Sequence, residues 1–465
     1  MLNKTKRIFA ILLAVAMLFS IVGCNKKVEE QSSGGVEYVV EEEIVYEDGT
    51  TGTTVGGSSQ TVTQESSSSG GIDYSKYKGT TVKFAATIDP KNDEGGPVVD
   101  AFEKEYGIDV ETVLVENSDY ANQISGLIAA GKAPDFVRVS ANFPSCISYL
   151  QPLECTKLNF NDTIWNQAVL NISTFNGKPY FADTVNSIWA ECDVVVYSKS
   201  ILKKAGANTP EDYDKAGKWT WDAFFEICRK VKNINPTSMK GGGFITRESA
   251  IYGMGGGLIQ LKNGKFVNGV NSRTQEAMVK FTTAWKEGII DWATTDGIEA
   301  GTVGITTCHI WKLKNTSDWK SGFNTSDLGF YYLPRWDAGS DYGNTGMVRG
   351  WGISKGASNP VAAGAFMKYY LDVGNYNLNC FITPAAQEFF FKANGNLNKS
   401  SWNPSILYPY DETQPAIAGI DAKTNGYYQA MSGDPAQIGS IMGSVKGAMD
   451  KAAKNLNSFV SKQIS

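Results

Sequence analysis

The sequence predicts an α/β body of two interwoven lobes behind an export leader and a tether, on three observations. Residues 81–139 alternate strand and helix patterns in βαβαβ order, which means a parallel sheet with right-handed crossovers. Helix-opening signals recur after residue 220 with no internal repeat and no long break, so the remainder reads as lobes sharing one chain rather than a string of modules. Charge is segregated: of 43 Lys plus Arg and 48 Asp plus Glu in 465 residues, five basic and ten acidic ones precede position 76, which leaves 38 of each sign in the body. A neutral body has no basic footprint for nucleic acid, whose binding depends on neutralising phosphates. The single imidazole, His309, disfavours His-rich zinc sites and His-dependent triads.

At the N-terminus, Lys4, Lys6 and Arg7 precede an apolar run over 8–22 that ends at Gly23-Cys24, the order of a secretion signal over residues 1–23. The run is short for a membrane span. Ile21-Val22-Gly23-Cys24 resembles a bacterial lipobox, which implies that Cys24 becomes the lipid-bearing, palmitate-type first residue after cleavage. Residues 24–75 then read as a tether: Glu41-Glu42-Glu43 and Glu47-Asp48 lead into 49–71, where 18 of 23 residues are Gly, Ser or Thr. That composition buries too little apolar surface to offset chain entropy, and as a coil of about 50 residues it would reach roughly 40 Å. No second apolar stretch of about 18 residues follows, so the body is expected at the extracellular face of the cell membrane, held there by its lipid alone.

The first strand is expected over 81–88, followed by a helix carrying Val98, Phe102 and Tyr106 and stopped by Gly107. A half-buried strand follows over 108–115, then a helix presenting Tyr120, Ile124, Leu127 and Ile128, then a strand over 135–139. Ligands of such sheets lie beyond the carboxyl ends of the strands, which points to the loops after the first and third strands, where Asp89, Lys91, Asn142 and Phe143 sit. Further on, Thr220 opens a helix with Phe224, Phe225, Cys228 and Val231; Ser272-Arg-Thr-Gln275 has the pattern of a capping box; Asn359-Pro360 opens a helix with Phe366 and Tyr370; and the chain from Asp434 reads as helical.

Familiar chemical motifs are missing. Every Gly-Lys pair lacks the following Ser or Thr of a phosphate-binding loop, and there is no Gly-x-Ser-x-Gly or His-Glu-x-x-His. Gly241-Gly242-Gly243 and the Gly253–Gly257 stretch lack the spacing of a dinucleotide turn and read as loops. The segment from Asp89 to Gly95 places Lys91 where a calcium loop needs an oxygen ligand, so no metal and no cofactor are expected. Beyond Cys24, six cysteines remain with no Cys-x-x-Cys, leaving disulfides and buried thiols both open.

Three ordered segments resemble the extracellular solute-binding proteins of carbohydrate ABC transporters, the group that includes maltose-binding protein. They are Ala101-Phe-Glu-Lys-Glu-Tyr-Gly-Ile-Asp-Val110 with the later Gly131-Lys-Ala-Pro-Asp135; Tyr197-Ser-Lys199 with Ala205-Gly206, Pro210 and Trp219-Thr-Trp-Asp222; and Leu333-Pro334 with Gly350-Trp-Gly-Ile-Ser-Lys355 and Ser358-Asn-Pro360. The resemblance spans residues 76–465. It implies a two-lobed periplasmic-binding-protein-like fold with a hinge and an interlobe ligand cleft: residues 76–190 plus about 350–405 in one lobe, 191–349 plus about 406–465 in the other.

The same resemblance implies a lipid-anchored, monomeric substrate-binding protein that is not an enzyme, captures a sugar or oligosaccharide by hinge closure, and delivers it to ABC permease transmembrane subunits. It aligns Asp89 and Asn142 with acidic ligand positions, Glu191 with an acidic ligand near the lobe crossing and Trp311 with an aromatic platform. Beside these, Trp189 is a stacking candidate, Arg349 and Trp351 sit at the return crossing, and Trp402 has the look of a cleft aromatic. Trp219, Trp221 and Trp285 read as core. The alternatives are a surface-anchored carbohydrate-active enzyme, built on a carboxylate pair such as Glu191 with Asp89, and a binding protein for a non-sugar solute such as a peptide.

Overall fold

The computed structural model describes residues 72–465 apart from 93–94, 117–118, 141–142, 190, 293–294, 315–318, 344, 398–402 and 404–432. The leader, Cys24, nearly all of the tether, Asn142 and Trp402 therefore lie outside the described residues. Two mixed sheets organise the body. The first contains β1 (Thr81–Ala86), β2 (Asp109–Leu114), β3 (Phe136–Ser140) and β4 (Leu150–Gln151), with β5 (Phe181–Ala182) beside them. The second contains β6 (Asp193–Ser198), β7 (Gly241–Gly243), β8 (Ile290–Asp291), β9 (Val303–His309) and β10 (Leu328–Tyr331); the chain then returns to the first as β11 (Arg349–Ser354).

The strand orders are β2-β1-β3-β11-β4 and β8-β7-β9-β6-β10. In each sheet three parallel strands lie in the same order, and a fourth, antiparallel one comes from the crossing between lobes: β11 pairs with β3, and β6 with β9. The expected βαβαβ opening is present, with helices Gly96–Tyr106 and Tyr120–Ala129 between its strands. Gly107 ends the first helix in the left-handed conformation that favours glycine, its N–H bonded to the Glu103 carbonyl.

The first lobe packs aromatics on one sheet face: Phe84, Phe136 and Trp351 meet Phe102, Phe366 and Tyr370 from helices Gly96–Tyr106 and Pro360–Tyr370. In the second lobe Trp219, Trp221, Phe224 and Phe244 lie buried as expected, although Trp219 precedes the N-cap Thr220 rather than standing in the helix that Trp221 opens. Gly241–Gly243, expected as a loop, is instead the buried strand β7. Helix Trp221–Lys232 lies directly on it, and a Cβ on Gly241 or Gly242 would land on the Cys228 carbonyl or sulfur. The six described cysteines are free thiols, four of them buried.

Two segments pack across the expected lobe boundary. Helix Pro384–Leu397 lies against second-lobe residues, with Ala386, Phe390 and Ala393 packed among Val194, Ile298 and Phe330. Helix Ile438–Ile464 joins both lobes: Asn457 bonds both backbone groups of Phe266 in the hairpin over 259–268, and Lys355 of the first lobe donates to the Gln463 carbonyl at 3.3 Å. Helix Ser272–Lys286 is capped by Asn271, whose side chain accepts from Thr274 N–H, rather than by Ser272.

The motif residue Asp135 is a structural crosslink. Fully buried, its carboxylate accepts from Lys83 N–H in β1 and from Asn359 N–H at the head of helix Pro360–Tyr370, both at 2.9 Å. Asp135→Ala orphans two backbone donors at once and is expected to cost roughly 3 kcal/mol. Asp135→Asn, which keeps one acceptor, should cost less; urea unfolding of the two variants measures the difference.

Candidate functional site

The crossings bring the candidate residues together because of how they pass each other. Asp193 N–H, at the start of β6, donates to the Thr345 carbonyl just ahead of β11 at 2.9 Å. Gly346 lies so close to the outgoing segment that a Cβ there would stand 2.8 Å from the Cys192 Cα, and its φ of +152° is one that side chains rarely adopt. Glu191 and Arg349 are thereby fixed side by side at the points where each crossing enters its sheet.

Glu191 is only 4% exposed, and its Oε1 lies 2.7 Å from Arg349 Nη2. The contact is an ion pair without hydrogen-bond alignment: among the described residues neither Glu191 oxygen nor Arg349 Nε has a hydrogen-bond partner. Arg349 Nη1 donates to the Trp189 carbonyl at 3.3 Å. Two further charged groups adjoin the pair. Burial, and then the nearby Arg349, pull the Arg138 guanidinium below its usual range. Burial pushes the Asp183 carboxyl up to about 7 against bonds from Ser187 and Thr184 N–H and the pull of Arg349.

On the second lobe, β9 ends at His309, followed by Trp311. His309 Nδ1 lies 2.7 Å from the buried carboxylate of Asp193, which Ser249 Oγ also reaches. Burial lowers the imidazole pKa, but Asp193 and Glu191 outweigh it and the net shift is upward. Trp311 is half-buried, stacked at 6.0 Å on His309 with the Lys312 ammonium 4.9 Å from its ring centroid.

Trp189 is less open than a platform requires. Tyr370 stacks on it at 5.7 Å and 10°, its indole N–H reaches Tyr376 at 3.3 Å, and Lys314 of the second lobe holds its ammonium 4.6 Å from the ring centroid. Trp351, expected as a ligand contact, is 3% exposed and stacked on Phe136 at 5.1 Å. Alternation along β11 explains the correction: Arg349 and Trp351 share a face, but Arg349 stands at the strand end and Trp351 falls two residues inward, on the core. Asp89 sits past β1, its Oδ1 accepting from Lys91 N–H and Thr112 Oγ, both at 3.1 Å.

The structure thus gathers Trp189, Glu191 and Arg349, with His309 and Trp311 on the adjoining strand end and Asp89 two strands away along the first sheet. Sequence reading missed Arg138, Asp183 and Asp193. The signal for two of them was a charge set in a run of buried β-branched residues, Phe136-Val-Arg138-Val and Asp193-Val-Val-Val196. Among the described residues, no group of three or more His, Cys, Asp or Glu is placed to hold a metal ion, and no helix is long and apolar enough to cross a membrane.

A cavity of about 1310 Å³ lies elsewhere. Its walls are Asn171 to Gly177 of the first lobe and, from the second, the hairpin over 259–268, Arg273 and Trp336, with none of the candidate residues. Arg273 lies 4.9 Å from the Trp336 ring centroid, as Lys312 does from that of Trp311, and Lys262, Asn263, Lys265 and Arg273 are exposed side chains. The cavity offers no desolvated charge, and the crossing cluster is the better candidate.

Residues 98–378 match the sequence pattern of the bacterial extracellular solute-binding proteins. No curated protein matches the whole sequence significantly. Among solved structures, the sugar-binding protein MalE from Xanthomonas citri is similar at TM-score 0.60 and 12% identity over 82% of this chain and 99% of that one. The galacto-N-biose-/lacto-N-biose I-binding protein of an ABC transporter from Bifidobacterium longum, in complex with lacto-N-biose, gives 0.59 and 15% over 81% and 98%. An extracellular solute-binding protein from Staphylococcus aureus, in complex with maltose, gives 0.57 and 17% over 83% and 98%.

The buried cluster makes stability depend on pH with a definite sign. An unfolded Asp titrates near 3.9 and folded Asp183 at about 7, so its favourable contribution is full below about pH 4 and is lost as pH rises to about 7. His309, raised above 6.5, contributes below that value and loses the contribution as pH rises through its folded pKa. Stability should therefore fall between pH 5 and pH 8. Asp183→Asn should remove on the order of 2 kcal/mol of that fall, read by urea unfolding at both pH values.

Proposed function

The chain belongs to the bacterial extracellular solute-binding proteins, and from that premise we propose that it is a lipid-anchored receptor that captures a sugar or oligosaccharide between its lobes and hands it to an ABC permease. Cys24 carries the anchor and the tether spaces the body from the membrane. The observation that carries the ligand class is Glu191: a buried carboxylate with a counter-charge at 2.7 Å but, among the described residues, no hydrogen bond. Sugar hydroxyls donate to such an oxygen and accept from Arg349, while Trp311 offers an aromatic face to the apolar C–H side of a ring. The named sugar ligands of similarly folded proteins support the same class.

Capture works by closure. The chain passes between the lobes at 191–193, at 345–349 and again between helices Pro360–Tyr370 and Pro384–Leu397, and closure turns about these segments. Ligand bonds to residues of both lobes favour the closed form by their differential affinity, which is what a permease can read.

An enzymatic reading keeps one observation in its favour, the raised Asp183 carboxyl near Glu191, an acid and a carboxylate as a glycosidase uses. Against it, the Asp183 carboxyl is already engaged by Thr184 N–H and Ser187. A thermal-shift screen of the full chain against mono- and oligosaccharides, with the sugar recovered, separates the two. A sugar at about 100 times its Kd should stabilise the fold by roughly 2.7 kcal/mol and come back intact. Trp311→Ala should weaken that binding about tenfold or more with little change in the melting temperature of the free protein. A cleaved sugar establishes the enzyme, and silence across the panel moves the ligand to a peptide or other non-sugar solute.

A further inference from the structure

Both tryptophans of the candidate site have a lysine ammonium beside the ring. Lys314 Nζ lies 4.6 Å from the Trp189 ring centroid, and Lys312 Nζ 4.9 Å from that of Trp311. The first contact spans the lobes, since Trp189 precedes the outgoing crossing and Lys314 follows β9 in the second lobe. Lys314 is buried, at 5% exposure, whereas Lys312 and Trp311 are half-buried.

The groups behind the rings continue the same sign. Arg349 reaches the Trp189 carbonyl and pairs with Glu191, and Arg138 adjoins that pair. His309 is taken up by Asp193 at 2.7 Å, and burial biases the nearby Asp183 carboxyl toward its neutral form. Set against Glu191 and a carboxyl so biased, Arg138, Arg349, Lys312 and Lys314 give the cluster an excess of positive charge among the described residues. A neutral sugar leaves that excess uncompensated when closure takes the remaining water away; an anionic one compensates it. A pyranose with a carboxylate on its ring presents an apolar C–H face with a charge at the edge, the complement of an indole with an ammonium beside it. A guanidinium matches the same carboxylate as a fork.

We propose that the captured sugar is anionic, a uronic acid or an oligosaccharide that carries one, with its C–H face on Trp311 and its carboxylate drawn to Lys312 and Lys314. The inference rests on the carbohydrate reading of the same cleft and adds the charge class of its ligand.

The test is calorimetric titration of the full chain with galacturonic and glucuronic acids and their short oligomers, each against its uncharged methyl ester, with malto- and cello-oligosaccharides and hexose phosphates alongside. The parent should bind an acid about tenfold or more tighter than its ester, and most of that advantage should vanish between about 50 and about 500 mM salt. Lys312→Gln and Lys314→Gln should each weaken acid binding about tenfold and leave ester binding within about twofold. Lys312 is half-buried, so the melting temperature of its variant should match the parent; if Lys314→Gln does not fold, Lys312→Gln and the salt dependence decide. An ester that binds as tightly as its acid, neutral oligosaccharides that bind while the acids do not, or hexose phosphates that bind in place of the uronates overturns the inference and leaves the carbohydrate reading standing. Silence from acidic and neutral sugars alike brings down both.

Discussion

The architecture depends on two chain crossings that run past each other with no room for a side chain. Gly346 lies against the Cys192 Cα, and the Asp193 N–H to Thr345 carbonyl bond ties the outgoing and returning segments into one two-stranded link. Each crossing then becomes the antiparallel fourth strand of the sheet it enters, which holds its end in register with the last residue of the neighbouring parallel strand: Arg349 with Ser140, Asp193 with His309. A charged residue at either entry point is thus delivered to the carboxyl edge of a sheet, where loops from the parallel strands also converge. The candidate residues Glu191 and Arg349 stand where these two backbone segments meet.

Much of this was legible in the chain. The βαβαβ opening follows from period-2 and period-3.6 apolar patterns, and helix Pro360–Tyr370 follows from its proline start. Resemblance supplied Glu191 and Arg349 as candidates, but their contact depends on a close passage that only three-dimensional packing creates. Gly241–Gly243 misled because glycines in sequence signal a turn, whereas here they signal a helix pressed onto a strand, a tertiary fact. Trp351 misled for a related reason: its neighbour Arg349 faces the cleft edge, and two residues of strand rise, about 7 Å, carry the next side chain on that face into the core. Asp135 belongs to a motif that could be read as functional, and the structure gives it a wholly architectural role.

Stability and recognition fall to different parts of the molecule. The aromatic layer from Phe84 to Tyr370 and the Asp135 crosslink hold the first lobe without any exposed charge, and the tryptophan and phenylalanine cluster around Phe244 does so in the second. The crossing cluster has the opposite character. Arg138, Arg349, Glu191, Asp183, Asp193 and His309 are drawn together where little water reaches, and ions so placed lose solvation that mutual attraction restores only with well-aligned hydrogen bonds. The Glu191–Arg349 pair lacks that alignment.

A pair that is near but not hydrogen-bonded has a specific consequence. Were the carboxylate and guanidinium locked in a fork, a ligand would have to break that fork before using either group, and its hydroxyls would gain little. Because, among the described residues, Glu191 keeps both oxygens and Arg349 its Nε without hydrogen bonds, a polyhydroxyl ligand of the proposed kind would add bonds without displacing any, and each would recover a desolvation cost already incurred on folding.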